Sequence, residues 1–131
     1  MGFHVLRGDK HEYEERPYVE GQPPRLTADV TTSAGLQQSR ARVWRLPPHT
    51  RGRRHTDAAQ EEVFVVVSGT LTMLLGDPPE RVDLPPLSVV AVDPPTPRQS
   101  RNETDEEVVV FIYGAPPIPG GGKYLDDPGE L

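Results

Sequence analysis

Short apolar runs recur along this chain about every eight to twelve residues, and proline or glycine closes nearly all of them. The runs are too short for helices, and none carries a helical period of useful length. That punctuation restricts the fold to many short strands joined by turns, an antiparallel sandwich or barrel. Composition agrees, with 12 glycines and 16 prolines in 131 residues, well above ordinary usage.

Reading along the chain, strands are expected over residues 36–46, ending at Pro47 and Pro48, and over 63–67 before the Ser68-Gly69 turn. A return strand is expected over 70–75, with Leu71, Met73 and Leu75 on one face. Further strands are expected over 87–92, 97–102 and 108–113. The unbroken Val63–Val67 run suggests cover on both faces, and Phe64, Val66, Met73, Phe111 and Tyr113 are read as core. Residues 1–35 read as a polar N-terminal arm carrying a short strand, 36–113 as a single barrel domain, and 114–131 as a Pro/Gly-rich tail. Ile118, Tyr124 and Leu125 favour a packed tail.

A net charge of −6 argues against nucleic acid as a partner, because phosphate binding wants a basic face. Arginines do cluster at Arg40, Arg42, Arg45, Arg51, Arg53 and Arg54; given the overall acidity they are read as a solvated strand edge and loop rather than a phosphate patch. There is no cysteine, so disulfides, thiolate ligands and a cysteine nucleophile are excluded. No run approaches membrane-spanning length, and the N-terminus lacks a signal-peptide core, so a soluble cytoplasmic protein with no membrane partner is expected. The glycine run at 120–122, followed by Lys123, has no serine or threonine after it and is not a phosphate-binding loop.

The chemistry concentrates between Arg53 and Gly69. His55 and Asp57 stand one residue apart, Glu61 and Glu62 follow, and then come the apolar run and the glycine turn. The two glutamates point to opposite faces of a strand, so only one of them faces inward. A second stretch, from Val92 to Asn102, joins a proline turn to a polar strand containing Arg98.

Together these stretches resemble the two motifs of small single-domain cupins, over about residues 36–113. With Gly69 as anchor, Glu62 falls on the motif glutamate and His55 on the first histidine; Asp57 stands at the second histidine position and His49 at the leading glycine. With Asn102 closing the second motif, Arg98 stands at its histidine position, with Pro95, Asp93 and Leu87 at other departures. The resemblance implies an all-β, double-stranded β-helix (a jelly-roll barrel) with a small-molecule pocket in its mouth. It also implies a homodimer, and a divalent transition metal such as Mn, Fe, Zn or Ni held by three histidines and a glutamate.

Here two of those four positions are changed. His55, Asp57 and Glu62 can each offer a lone pair; Arg98 cannot, since guanidinium stays protonated. His49 and Gln60 are the nearest substitutes, and Gln60 is placed with Arg98 in the ligand pocket. A fixed cation beside a metal weakens it. The expectation is therefore that Arg98 occupies part of the ion's space and neutralises Asp57 or Glu62 through a bidentate contact, with His55 hydrogen-bonding beside it. Three functions stay open. One is a non-catalytic module that keeps the barrel pocket and a partial metal site of His55, Asp57 and Glu62, with or without an ion, and binds a small, anionic ligand. Another is a metal-dependent dioxygenase, isomerase or decarboxylase acting on a small carboxylated molecule. The third is an interaction protein with a filled pocket.

Overall fold

A computed structural model describes residues 2–117 and 122–131. Among the described residues, twelve strands form two antiparallel sheets, accompanied by one short α-helix and a 3-10 turn at Gly8–Lys10. The first sheet contains β1 (Glu14–Arg16), β2 (Arg25–Asp29), β3 (Arg40–Leu46), β6 (Glu61–Ser68), β9 (Val89–Val92) and β11 (Val108–Ala115). Its spatial order is β1-β2-β3-β11-β6-β9. The second contains β5 (His55–Thr56), β7 (Leu71–Leu75), β8 (Glu80–Leu84), β10 (Arg98–Asn102) and β12 (Lys123–Tyr124), in the order β12-β5-β10-β7-β8. The short β4 (Thr50–Arg51) pairs with β10 beside that path. Helix α1 (Val30–Ala34) links β2 to β3; the Asp29 side chain caps its first turn, and Gly35 ends it in the left-handed conformation.

Inward side chains of the two sheets meet in a core of Leu46, Phe64, Val66, Leu71, Met73, Val92, Val108 and Val110. Burying each such side chain contributes about 1.5–3 kcal/mol. The β6–β7 turn depends on Gly69: its φ is +77°, and a Cβ there would lie 2.6 Å from the Glu107 carbonyl oxygen. Asn102 ties the far end, donating from Nδ2 to the carbonyls of Leu46, Pro47 and Glu106.

Several expectations change. Residues 1–35, read as an arm with a short strand, supply two strands and a helix turn to the first sheet. The strand at Glu80–Leu84 lay hidden because only Val82 and Leu84 of its five residues turn inward against the core. Phe111 and Tyr113 are not core: they lie on the outer face of β11 with Val109, and Tyr113 is 42% exposed. Val63–Val67 is covered on one face only, leaving Val67 52% exposed. Ile118 lies outside the described residues, as do Gly120 and Gly121 of the glycine run. Of the tail residues expected to pack, Tyr124 is 68% exposed, while the Leu125 amide donates to the Arg54 carbonyl. Asp127 accepts hydrogen bonds from Arg51, Gln99 and Arg101, and the last two are buried on the outer face of β10. No helix among the described residues is long and apolar enough to cross a membrane.

Candidate functional site

Residues at paired positions on adjacent strands point to the same face. His55 on β5 pairs directly with Arg98 on β10, so both face the barrel interior. Asp57 follows β5 by one residue. Glu62 comes from the opposite sheet, on the inward face of β6 between Val92 and Gly114. Glu61 faces out, as the alternation requires. Three short segments of two sheets thus bring His55, Asp57, Glu62 and Arg98 together.

Arg98 is 1% exposed and its guanidinium is fully engaged. Nη1 donates to Asp57 Oδ2 at 2.6 Å and to Glu62 Oε1 at 2.7 Å. Nε and Nη2 donate to the Thr96 carbonyl at 3.1 and 2.9 Å, and Nη2 also reaches the Asp93 carbonyl at 3.4 Å. The expected bidentate fork on one carboxylate is replaced by one nitrogen bridging two, because the proline turn before β10 supplies backbone acceptors for the rest of the group.

His55 does not hydrogen-bond Arg98. Its Nδ1 lies 3.1 Å from the Arg53 carbonyl, and since a carbonyl only accepts, Nδ1 carries the proton and Nε2 keeps its lone pair. Burial holds the imidazole below its ordinary pKa, with help from the charges of Arg98 and Arg25. Glu62 is pushed up to about 7, chiefly by burial. The hydrogen bond from Arg98 opposes that rise, and the adjacent Asp57 charge reinforces it. The site therefore holds a neutral imidazole and a carboxyl group that exchanges its proton near neutrality.

One ligand atom from each of His55, Asp57 and Glu62 falls within 4.8 Å of the others, so the three form a group that could hold a metal ion. They do not match the family's full donor set. A metal would have to take carboxylate oxygens that already accept from Arg98, and would sit beside that buried cation. The substitutes fail as well. His49 is exposed and paired with Asp105 through Nε2 at 2.6 Å. Gln60 lines the cavity, but its Nε2 donates to the Pro116 carbonyl, and it packs so close that a Cβ on Gly114 would lie 2.6 Å from its Oε1.

His55, Asp57, Gln60 and Glu62 line a cavity of about 340 Å³ between the sheets, at the lower end of typical small-ligand sites. Arg98, expected in the ligand pocket, is buried and does not line it, because Asp57 and Glu62 take up its guanidinium. The cavity wall holds residues that the sequence reading left out: Trp44, Tyr124, Arg25, Arg40, Arg42 and Arg53. Three members of the arginine cluster are elsewhere, since Arg45 pairs with Glu107, Arg51 with Asp127 and Arg54 with Asp77. Arg40 and Arg42 could have been recognised by parity. They alternate in step with Trp44 and Leu46, so an inward Leu46 turns all four inward.

Residues 42–113 match the family described as the cupin domain. No curated protein matches the chain. Among solved structures, a sugar phosphate isomerase from a cupin superfamily of Silicibacter pomeroyi superposes with a TM-score of 0.78 at 22% identity, over 94% of this chain and 82% of that one. The polyketide cyclase RemF of Streptomyces resistomycificus also gives 0.78, at 11% identity over 95% of this chain and 87% of its own. A predicted oxalate decarboxylase from Thermotoga maritima gives 0.73 at 13% identity, over 85% and 97%. At such identities the likeness establishes the fold alone, and the three titles name three different chemistries.

Proposed function

The chain belongs to the cupin domain family, and from that premise we propose that its barrel is a small-molecule-binding pocket in which the Arg98 guanidinium, rather than a metal ion, holds the carboxylates of Asp57 and Glu62. The observation that carries this reading is the bridge from Arg98 Nη1 to both carboxylates at 2.6 and 2.7 Å. Burial, and secondarily the Asp57 charge, push the Glu62 pKa up to about 7 against the opposing hydrogen bond from Arg98. A ligand entering the cavity meets His55, Gln60, Asp57 and Glu62 on its walls, together with the indole of Trp44.

The alternative is a metal-dependent enzyme, a dioxygenase, isomerase or decarboxylase acting on a small carboxylated molecule. It is supported by the convergence of His55, Asp57 and Glu62. Elemental analysis of protein purified without an affinity tag separates the two. The binding module carries no first-row metal in stoichiometric amount, whereas one tightly held atom per chain overturns it in favour of the enzyme.

A homodimer is proposed as well, supported by the outer face of the first sheet. There Val43, Phe111, Val65 and Val89 form one cross-strand row, and Ala41, Tyr113, Val63 and Ala91 form the next. Val89 is 63% exposed on this face, an apolar surface of the kind that pairs with a second copy. Sedimentation equilibrium should give twice the chain mass for the native protein and a shift toward monomer for Val65→Lys. A monomer at tens of micromolar native protein would reject the dimer.

A further inference from the structure

We propose that Arg25, Arg40, Arg42 and Arg53 form a subsite in the cavity for a small oxyanion carrying two or more negative charges. The inference rests on the reading of the barrel as a small-molecule pocket and adds the chemical class of the ligand.

The chain has twelve arginines. Eight lie within ion-pair distance of a carboxylate. The four with no such partner among the described residues are the four that line this cavity. In a chain with 20 acidic against 14 basic residues, surface arginines readily find carboxylates. Four unpaired guanidiniums around one cavity repel one another, and a multiply charged anion relieves that repulsion.

The carboxylates of the cavity do not fill this role. Asp57 and Glu62 line the same cavity but are already engaged by Arg98. Asp29, beside Arg42 in the sheet, feels its charge but caps the Thr32 amide and lies beyond ion-pair distance.

Three of the four groups have contacts that position them. The Arg25 guanidinium carbon lies 4.6 Å from the centre of the Trp44 ring, and Nη1 would be 2.9 Å from a Cβ on Gly52. A side chain at position 52 would displace it. The Nε of Arg25 is buried and has no hydrogen-bond partner, an uncompensated cost. Burial lowers the Arg25 pKa, as expected of a cation held in place without a carboxylate. Arg42 makes one long contact, 3.5 Å to Thr27 Oγ1. Arg53 stacks on Tyr124, 3.8 Å from the ring centre, at the exposed rim where Arg40 also stands. Planar guanidinium forks in this number suit the oxygens of a phosphate monoester or of a polycarboxylate, and a neutral sugar offers them no charge to neutralise.

Trp44 is the sole tryptophan and lines the cavity, so its fluorescence reports occupancy directly. The test titrates the full chain with glucose 6-phosphate, citrate and uncharged glucose at low ionic strength. At least one of the two anions should bind, glucose should not at the same concentrations, and added salt should weaken the binding. Tighter binding of glucose 6-phosphate assigns the phosphoryl source, and tighter binding of citrate the carboxylate source. Arg25→Gln and Arg42→Gln should each weaken the anion by about tenfold or more, while Arg7→Gln, far from the cavity, should not. Should the partly buried positions disturb folding, the exposed Arg40→Gln and Arg53→Gln variants give the same reading. Failure of both anions to bind, or anion binding unchanged in all four variants, overturns the subsite. Glucose binding as tightly as the anions also overturns it but leaves the pocket standing. Stoichiometric metal in the native protein would instead overturn the metal-free reading without touching these four arginines.

Discussion

Arg98→Ala is expected to cost the folded protein about 3–5 kcal/mol, measured as a fall in the urea midpoint with unchanged slope. The reason is the isolation of what remains. Arg98 is almost wholly buried, and it supplies a hydrogen bond to each of two carboxylates, Asp57 beside its own sheet and Glu62 from the opposite one. Removing it leaves Asp57 and Glu62 as facing carboxylates with no cation between them, and the Thr96 carbonyl without its donors. Glu62 takes up a proton readily, since its pKa stands near 7 already, which limits the loss to the lower part of that range at neutral pH. A control isolates the charge from the packing. In the triple variant Asp57→Asn, Glu62→Gln, Arg98→Met, the cation and both anions are replaced together by neutral groups of similar size, and most of the stability should return. A loss below about 1 kcal/mol in Arg98→Ala would mean that the guanidinium is solvated and unpaired in solution.

Much of this arrangement was legible in the residues. The motif count from Gly69 singled out Glu62 rather than Glu61, and alternation then turns Glu61 outward. The second motif likewise put Arg98 on the inner face of its strand, though not its pairing with His55. The pairing of Arg98 with Asp57 and Glu62 followed from charge alone, since a buried cation requires an anion. What could not be read was the third dimension of the bridge. The Thr96 and Asp93 carbonyls claim the other guanidinium nitrogens only because the proline turn folds back on the strand.

The arginine wall failed for a different reason. Averaged over the chain the protein is acidic, and an average conceals a local surplus. Arg40 and Arg42 sit in the interior register of β3, while their neighbour Arg45 faces outward to Glu107. Arg25 and Tyr124 reach the same cavity from opposite ends of the chain, through β2 and β12, and both segments had been read as peripheral. Polar strands such as Glu14–Arg16 and Glu80–Leu84 carry too few inward apolar residues to stand out from loops.

The second large effect expected is the creation of a metal site by Arg98→His. The substitution removes the competing cation and adds an imidazole opposite His55, so that His55, Asp57, Glu62 and the new side chain offer two nitrogens and two carboxylates. Such a set suits a first-row divalent ion. Without metal the variant should be weakened as Arg98→Ala is; with metal it should recover, because an ion that binds only the folded state stabilises it by mass action.

Whether a guanidinium or an ion holds these carboxylates is tested most directly by titrating Zn²⁺ and Mn²⁺, by calorimetry, into the metal-stripped native protein and into Arg98→His. The expected result is no saturable uptake by the native protein and one equivalent bound at micromolar affinity or tighter by the variant. One equivalent taken up by the native protein as tightly as by the variant would contradict it, because Arg98 would then have to release Asp57 and Glu62 to let the ion in.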